Sequence, residues 1–228
     1  MNYKNYMKKI VIILLLCLLY PEKLVYSVNF KFINVGTATI SSKQSKDWEL
    51  TIHTLIKTNK FFDNLYKLRD EIDLVVNPED FSIQKIEKNI LEGSWKKHYI
   101  AEIDSNNNVI TEDNILENDE KLFDPISVIY SIRNQDLNIG NKYSFSVLGI
   151  DEIRPIIVEV KSKETIQVPT GTYKCKKVVP ASADDKPILK NSGYMTVWFT
   201  DDDKKIPVKI EQKTNIGNMV LKLKKITP

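Results

Sequence analysis

The sequence predicts a mainly β protein, a single antiparallel curved sheet of half-barrel or barrel-like form with one or two short helices packed on its concave face. Three observations carry this expectation. Apolar residues alternate with polar ones at a period of two through most of the chain; clusters of turn formers separate the alternating runs; and one short segment switches to helical spacing.

The chain opens with Lys4, Lys8 and Lys9, an uncharged and almost wholly apolar run from Ile10 to Tyr20, and Pro21. This is the three-part layout of a secretory signal peptide. A membrane-spanning helix needs roughly 20 apolar residues, and this run is shorter, so no transmembrane span is expected after cleavage. Val25 and Ser27 stand where a signal peptidase accepts small side chains, which sets the expected boundaries at 1–27 for the signal peptide and 28–228 for a single β-rich exported domain. Cys17 lies inside the apolar run but follows Leu16, whereas an acylation site needs a small residue there. Cys175 is then the sole cysteine of the mature chain, so the fold is held by its core and not by an internal disulfide.

Of 33 basic and 30 acidic residues, the leading segment takes four lysines and one glutamate, which leaves the mature chain formally neutral. With no long basic run either, the counterion release that drives binding to a nucleic-acid backbone is missing, and nucleic acid is excluded as a partner. The absence of a Pro/Gly/Ser-rich linker argues for one domain.

Taken in order, Val28, Phe30 and Phe32 form the first alternating set. In the next, Trp48, Leu50, Ile52 and Ile56 share one face and Glu49, Thr51 and His53 the other. Lys60 to Leu65, with Phe61, Phe62 and Leu65, predicts one or two helical turns between strands. Asn106 to Asn108 predicts a hairpin turn. Asp124-Pro125 supplies an N-cap acid and a first-turn proline before Ile126, Ile129, Tyr130 and Arg133, whose spacing predicts a short helix with an apolar stripe. Isolated helices below about 12 residues are marginal in water, so this one is expected to bury its stripe against the concave face of the sheet. Ile156, Val158 and Val160, then Val208 and Ile210, then Leu221 and Leu223 repeat the strand pattern, with Asp201–Asp203 and Asn215–Asn218 as the turns between.

Few residue patterns carry chemistry. His53 and His98 are the only histidines, and neither has a second ligand at helix or hairpin spacing, so no metal site is expected. No nucleophile elbow, Cys–His motif or glycine-rich phosphate cradle occurs, so no catalytic residue and no cofactor are assigned. Cys175 reads as a small buried filler, and Asp201–Asp203, followed at once by Lys204 and Lys205, as a solvated turn. The three arginines, Arg69, Arg133 and Arg154, stand out in a lysine-rich chain, because a guanidinium makes planar two-point contacts that lysine cannot. Such a contact is either an internal ion pair or an anchor for a ligand. Aromatic residues gathered on single faces (Phe30, Phe32, Trp48, Tyr143, Phe145, Trp198) favour an apolar ligand site, for which Arg69, Tyr130, Arg133 and Trp198 are the candidate ligand-binding residues.

Several ordered segments also resemble a known family. They are Gly36-Thr-Ala38; Leu65-Tyr-Lys-Leu-Arg69-Asp70; Pro78 with Phe81; Asp124-Pro-Ile-Ser127 running to Tyr130 and Arg133; Leu137 to Gly140; Val168-Pro-Thr-Gly171-Thr-Tyr173-Lys-Cys175; and Val197-Trp198-Phe-Thr-Asp201 to Pro207-Val208. Together they resemble domain of unknown function 3108, a family of exported bacterial envelope proteins, over nearly all of the mature chain. The resemblance implies secretion across the inner membrane, a periplasmic or envelope-associated location, and a β half-barrel similar to carriers of apolar ligands. It implies no catalytic residues. Two departures from the family pattern stand out: Lys204 or Lys205 replaces an arginine expected near the Trp198 strand, and the segment from Asn106 to Lys121 is longer and more acidic.

The leading expectation is therefore a non-enzymatic envelope protein that holds a lipid-like or other apolar ligand in a groove of a curved β-sheet. The alternatives are an accessory protein docking on envelope partners, and a cell-wall or glycan hydrolase whose carboxylates, Asp70, Asp124 or Asp201, are assembled by the fold at the roughly 5 to 9.5 Å separation such chemistry needs.

Overall fold

The alternating runs join into one continuous sheet of 15 strands. The computed structural model describes residues 22–45, 48–150, 152–182, 195–214 and 217–227. In chain order the elements are β1 (Glu22–Phe30), β2 (Ile33–Gln44), β3 (Leu50–Thr58), α1 (Lys60–Asp63), β4 (Leu68–Val76), β5 (Ile83–Glu92), β6 (Trp95–Ile103), β7 (Val109–Ile110), β8 (Ile115–Leu116) and β9 (Leu122–Phe123). They continue with α2 (Pro125–Arg133), β10 (Lys142–Leu148), β11 (Ile153–Val168), β12 (Gly171–Ser182), β13 (Met195–Thr200), β14 (Pro207–Thr214) and β15 (Gly217–Thr227). The expected signal segment, with Cys17, and Asn215 of the expected last turn lie outside the described residues.

The strands follow the order β8-β7-β6-β5-β4-β3-β2-β1-β15-β14-β13-β12-β11-β10-β9. All neighbours are antiparallel except β9 and β10, which run parallel. A flat sheet of this size, at roughly 4.8 Å per strand, would hold β8 and β9 about 65 Å apart. Residues 117–121 alone join them, and so short a link reaches about 20 Å when fully extended. The sheet therefore curls almost fully round on itself, yet β8 and β9 do not pair, and the wrap stays unclosed.

Period-two patterning decides which face turns inward. Leu24, Tyr26 and Val28 of β1, Ala38 and Ile40 of β2, Ile52 of β3, Leu74 and Val76 of β4, and Leu221 and Leu223 of β15 are all buried in one apolar cluster. Gly36 is required by the approach of β2 to β3, because a Cβ there would stand 2.1 Å from the Lys57 carbonyl oxygen.

The predicted helix forms as α2. The Asp124 side chain accepts from the Ile126 amide, the Ser127 hydroxyl closes the capping box, and Pro125 occupies the first turn, where its missing N–H costs nothing. Residues Ser127 to Ile132 are buried, so the helix is sunk into the concave side on more than one face. The weaker candidate condenses to the single turn α1, capped by the Asn59 side chain.

Two aromatic assignments are corrected. Phe32 and Trp48 do not share the buried faces; both sit in turns at positive φ and are exposed, because the chain reverses at these residues instead of continuing the strand. The expected boundary after residue 27 falls inside β1, where Tyr26 is fully buried and its hydroxyl donates to the Pro207 carbonyl at 2.7 Å.

The meander gives the wrap two rims. The β1–β2, β3–β4 and β5–β6 connections share one rim, called upper here; the β2–β3, β4–β5 and β13–β14 connections share the lower one. Because β1 sits mid-sheet between β2 and β15, residues 22–27 stitch the two halves together. A chain starting at Val28 would lose Leu24, Tyr26 and the Glu22 partner of Arg133. Each buried large side chain contributes roughly 2–5 kcal/mol, against a total stability of about 5–15 kcal/mol. Circular dichroism melts should show a cooperative transition for a chain starting at Glu22 and none for one starting at Val28.

Candidate functional site

α2 lies on the concave side, and the upper part of the β3–β5 wall beside it is only half-buried. At its C-terminal end Arg133 grips Glu22 through both guanidinium nitrogens, Nη1 to Oε1 and Nη2 to Oε2, the latter at 3.1 Å, and donates from Nε to the Lys204 carbonyl at 3.2 Å. The same guanidinium lies 5.4 Å over the Tyr130 ring, which packs 5.6 Å from Phe81 of the β4–β5 turn. Burial, with the Glu22 carboxylate nearby, holds the Tyr130 phenol well above its ordinary range. Among the described residues the Tyr130 hydroxyl finds no hydrogen-bond partner.

At the N-terminal end of α2, Lys88 of β5 places its Nζ 3.0 Å from Asp124 Oδ2, both side chains being buried. This pair fixes the start of the helix against the middle of the wall. Lys88 shares a cross-strand row with Ile72 and Thr54, whose buried hydroxyl also lacks a partner among the described residues.

Above this row the inward residues of β3, β4 and β5 are less buried. Ile56 and Thr58 of β3, Leu68, Asp70 and Ile72 of β4, and Ile90 and Glu92 of β5 face inward by strand parity and are only half-buried. Asp70 stands between Ile56 and Ile90 in register. It accepts from the Leu91 amide at 3.3 Å, yet burial, helped by Glu92, pushes its carboxyl up to about 7. The surface is a strip of isoleucine and leucine with one protonatable acid at its centre, able to accept an apolar chain and to hydrogen-bond a polar group in either protonation state.

The four sequence-nominated residues are placed as follows. Tyr130 and Arg133 come together on α2. Arg69 lies at the upper rim, where Nη1 and Nη2 meet Asp63 Oδ1 and Oδ2 at 3.0 and 2.6 Å and tie α1 to β4. Trp198 is on the convex face, donating from Nε1 to Glu164 at 2.7 Å, with Lys177 and Lys209 at 5.5 and 4.0 Å from its ring. Both Arg69 and Arg133 thus make the planar two-point contact expected of them, with carboxylates of the same chain.

The sequence reading missed Asp70 as a groove residue, and it missed Lys88. Parity would have found both: Lys88 alternates with Ile86 and Ile90, and Asp70 with Leu68 and Ile72, so each sits on an apolar face. Ligand spacing along the chain also missed that β4 brings Asp73 and Glu71 to His53, at 2.8 Å from Nδ1 and 3.7 Å from Nε2. The two carboxylates engage opposite nitrogens of the ring, so the imidazole bridges them on the convex face. Of the carboxylates named for the hydrolase alternative, Asp124 is taken up by its cap and Lys88, Asp201 by Lys163 and Lys176 at the lower rim, and Asp70 stands one row above Lys88 on the same wall. Cys175 is fully buried, and burial pushes its thiol up to about 11, which suppresses the nucleophilic thiolate.

Two outcomes follow. Native Asp70 holds a proton up to about pH 7 whereas the unfolded chain releases it near the ordinary aspartate value of 3.8. Between those values the native state binds more protons, so stability falls as pH rises through the window. Asp70→Asn should flatten that slope and raise the melting temperature at neutral pH. Lys88→Met strands a buried carboxylate and should cost about 3–5 kcal/mol in urea unfolding, while Lys88→Met with Asp124→Asn should recover much of it, since asparagine still caps α2.

No curated protein matches the chain. Among solved structures it is similar to a β-barrel-like protein of domain of unknown function DUF1849 from Brucella abortus, with TM-score 0.66 and 12% identity over 92% of this chain and 98% of that one. Two weaker likenesses are to hypothetical protein CT021 from Chlamydia trachomatis (TM-score 0.42, 7% identity, 91% and 87% covered) and to an exported-protein candidate with a YmcC-like fold from Bacteroides fragilis (TM-score 0.40, 10% identity, 91% and 95% covered). The first agrees with the curved, unclosed sheet described above. The model of "Protein of unknown function (DUF3108)" matches residues 25–224, from within β1 to within β15, and the chain belongs to that family.

Proposed function

We propose that the protein is a non-enzymatic, exported carrier or sensor of a lipid-like molecule, held against the upper concave wall. One observation carries this reading: α2 stops at the Lys88 row and leaves Ile56, Leu68, Ile72 and Ile90 half-exposed around a protonatable Asp70. A core that merely needed filling would place no carboxyl there, since burying it costs free energy that no cation among the described residues returns. A ligand with an acyl chain and a hydroxyl or amide head satisfies both the isoleucines and Asp70.

Export rests on the N-terminal lysines and the apolar run up to Tyr20. Since β1 begins at Glu22, processing compatible with the fold falls before that residue. Among the described residues no helix is long and apolar enough to cross a membrane. Envelope location is the setting in which such a carrier would work. Docking through a sheet edge is less favoured, because β8 and β9 are two residues each, the short edge form that blunts strand addition.

Native mass spectrometry of the protein purified from the exporting cell should show a co-purifying lipid mass. Leu68→Gln and Ile90→Gln together should remove it while leaving the melting curve near that of the parent. An empty parent protein that also fails to take up a fluorescent fatty acid would end the carrier reading.

A further inference from the structure

The upper rim carries a second surface, independent of any ligand in the groove. The β1–β2 turn, the β3–β4 connection with α1, and the β5–β6 turn stand side by side on consecutive strand pairs. They are fastened to one another. The Asn59 amide donates to the Val35 carbonyl at 2.9 Å, the Asn59 side chain reaches the Asn34 carbonyl at 3.3 Å, and the Gly93 amide donates to the Lys67 carbonyl at 2.8 Å. Tyr66 lies so close over Gly93 that a Cβ there would meet its ring at 3.0 Å. The three loops therefore form one stiff ledge.

That ledge exposes what a folded core would hide. Phe32 is fully exposed at 104%, Leu65 is 72% and Phe61 70% exposed, and Ile33, Tyr66 and Trp95 add to the patch. Lys31 and Phe32 occupy a two-residue hairpin turn at φ 45° and 72°, a conformation that favours Asn-Gly. A phenylalanine there does nothing for the turn and touches no core, so its use is outside the fold. Around it stand Lys31, Lys57, Lys60, Lys67, Lys96 and Lys97, all exposed, and none in an ion pair with another described residue. The acids of the same loops are Asp63, already spent on Arg69, and the half-buried Glu92.

We infer that the upper rim docks on an anionic lipid surface, inserting Phe32, Phe61 and Leu65 while the lysines meet the headgroup charge. Aromatic and aliphatic tips ringed by lysine are the composition of interfacial membrane anchors, where apolar insertion and electrostatic attraction act together. A protein partner of ordinary surface would have to match six cations and six apolar tips at once, whereas an anionic bilayer complements both without shape matching. The concave wall of Ile56, Asp70 and Ile90 opens at this same rim, so a docked protein would face its groove to the membrane.

Vesicle flotation and tryptophan quenching test the inference on the protein as exported. It should float with vesicles of phosphatidylglycerol, release as salt is raised, and not float with phosphatidylcholine alone. Lys31→Asn with Phe32→Gly should keep or raise the melting temperature while weakening binding about tenfold, the effect of removing one buried aromatic side chain from the bilayer. Orientation is read with phosphatidylglycerol brominated in its acyl chains. A variant retaining Trp95 at the upper rim should be quenched, and one retaining Trp48 at the lower rim should not. Because β1 enters from the lower rim at Glu22, attachment through residues preceding it would quench Trp48 instead. Equal quenching of both, binding unchanged by the turn variant, or a parent that leaves vesicles untouched and self-associates through these loops would each overturn the proposal.

Discussion

Everything in this molecule depends on holding an open sheet curled without sealing it. A closed barrel keeps its curvature through the hydrogen bonds of its last strand pair; here β8 and β9 remain unpaired, so the curvature must be fixed from inside. α2 does this as an internal strut. Its start is bound covalently to β9 and ionically to Lys88 of β5, and its end is bound to Glu22 of β1 and the Lys204 carbonyl beside β14. These anchors are spread across the sheet, so flattening it would break one buried and one half-buried ion pair at once. Residues 117–121 reinforce this from outside, with Lys121 holding Asp80 of the β4–β5 turn at 2.5 Å.

The position of that strut explains the asymmetry of the interior. A helix of nine residues is about 13 Å long, less than the run of β3 or β4, and it is pulled toward the lower rim by Arg133. The lower half of the wrap is therefore packed with Tyr26, Phe81 and Tyr130, while the upper half of the β3–β5 wall is only half-buried. Burial follows the same division: along β4 the inward residues pass from buried Val76 and Leu74 to half-buried Ile72, Asp70 and Leu68.

The sheet and the helix were legible in the sequence because both depend on local, periodic signals. Alternation in Leu50–Ile56, Ile156–Val160 and Leu221–Leu223, and the Asp124-Pro125 cap, are read within a few residues and need no knowledge of what lies opposite. Turn position was less legible. Phe32 and Trp48 fit the alternating pattern by parity, and only the pairing of Phe30 with Ile33 and of Gln44 with Leu50 reveals that the chain has already reversed. The site was the least legible part, because it is assembled from partners far apart along the chain. Glu22 and Arg133, or Lys88 and Asp124, have nothing in their neighbourhoods to announce each other. The start of β1 was hidden for a different reason: Leu24 and Tyr26 continue the apolarity of the preceding run, so composition alone draws no line between an export signal and the first strand.

Strand direction adds a last constraint on how the parts can work together. An antiparallel meander sends alternate turns to opposite rims, so exposed apolar residues scattered at random along the chain would be shared between both. Phe32, Phe61, Leu65 and Trp95 fall on odd-to-even connections, β1–β2, β3–β4 and β5–β6, and so on the upper rim, while Trp48 is exposed on the lower one. The chain enters at the other rim through Glu22, where Arg133 fixes it. The half-buried wall, the apolar ledge and its lysines are thereby gathered at one end of the wrap, while the Arg133–Glu22 pair that holds the end of α2 lies at the other. Separation of this kind lets Phe32, Phe61 and Leu65 vary with little effect on stability, because each is at least 70% exposed.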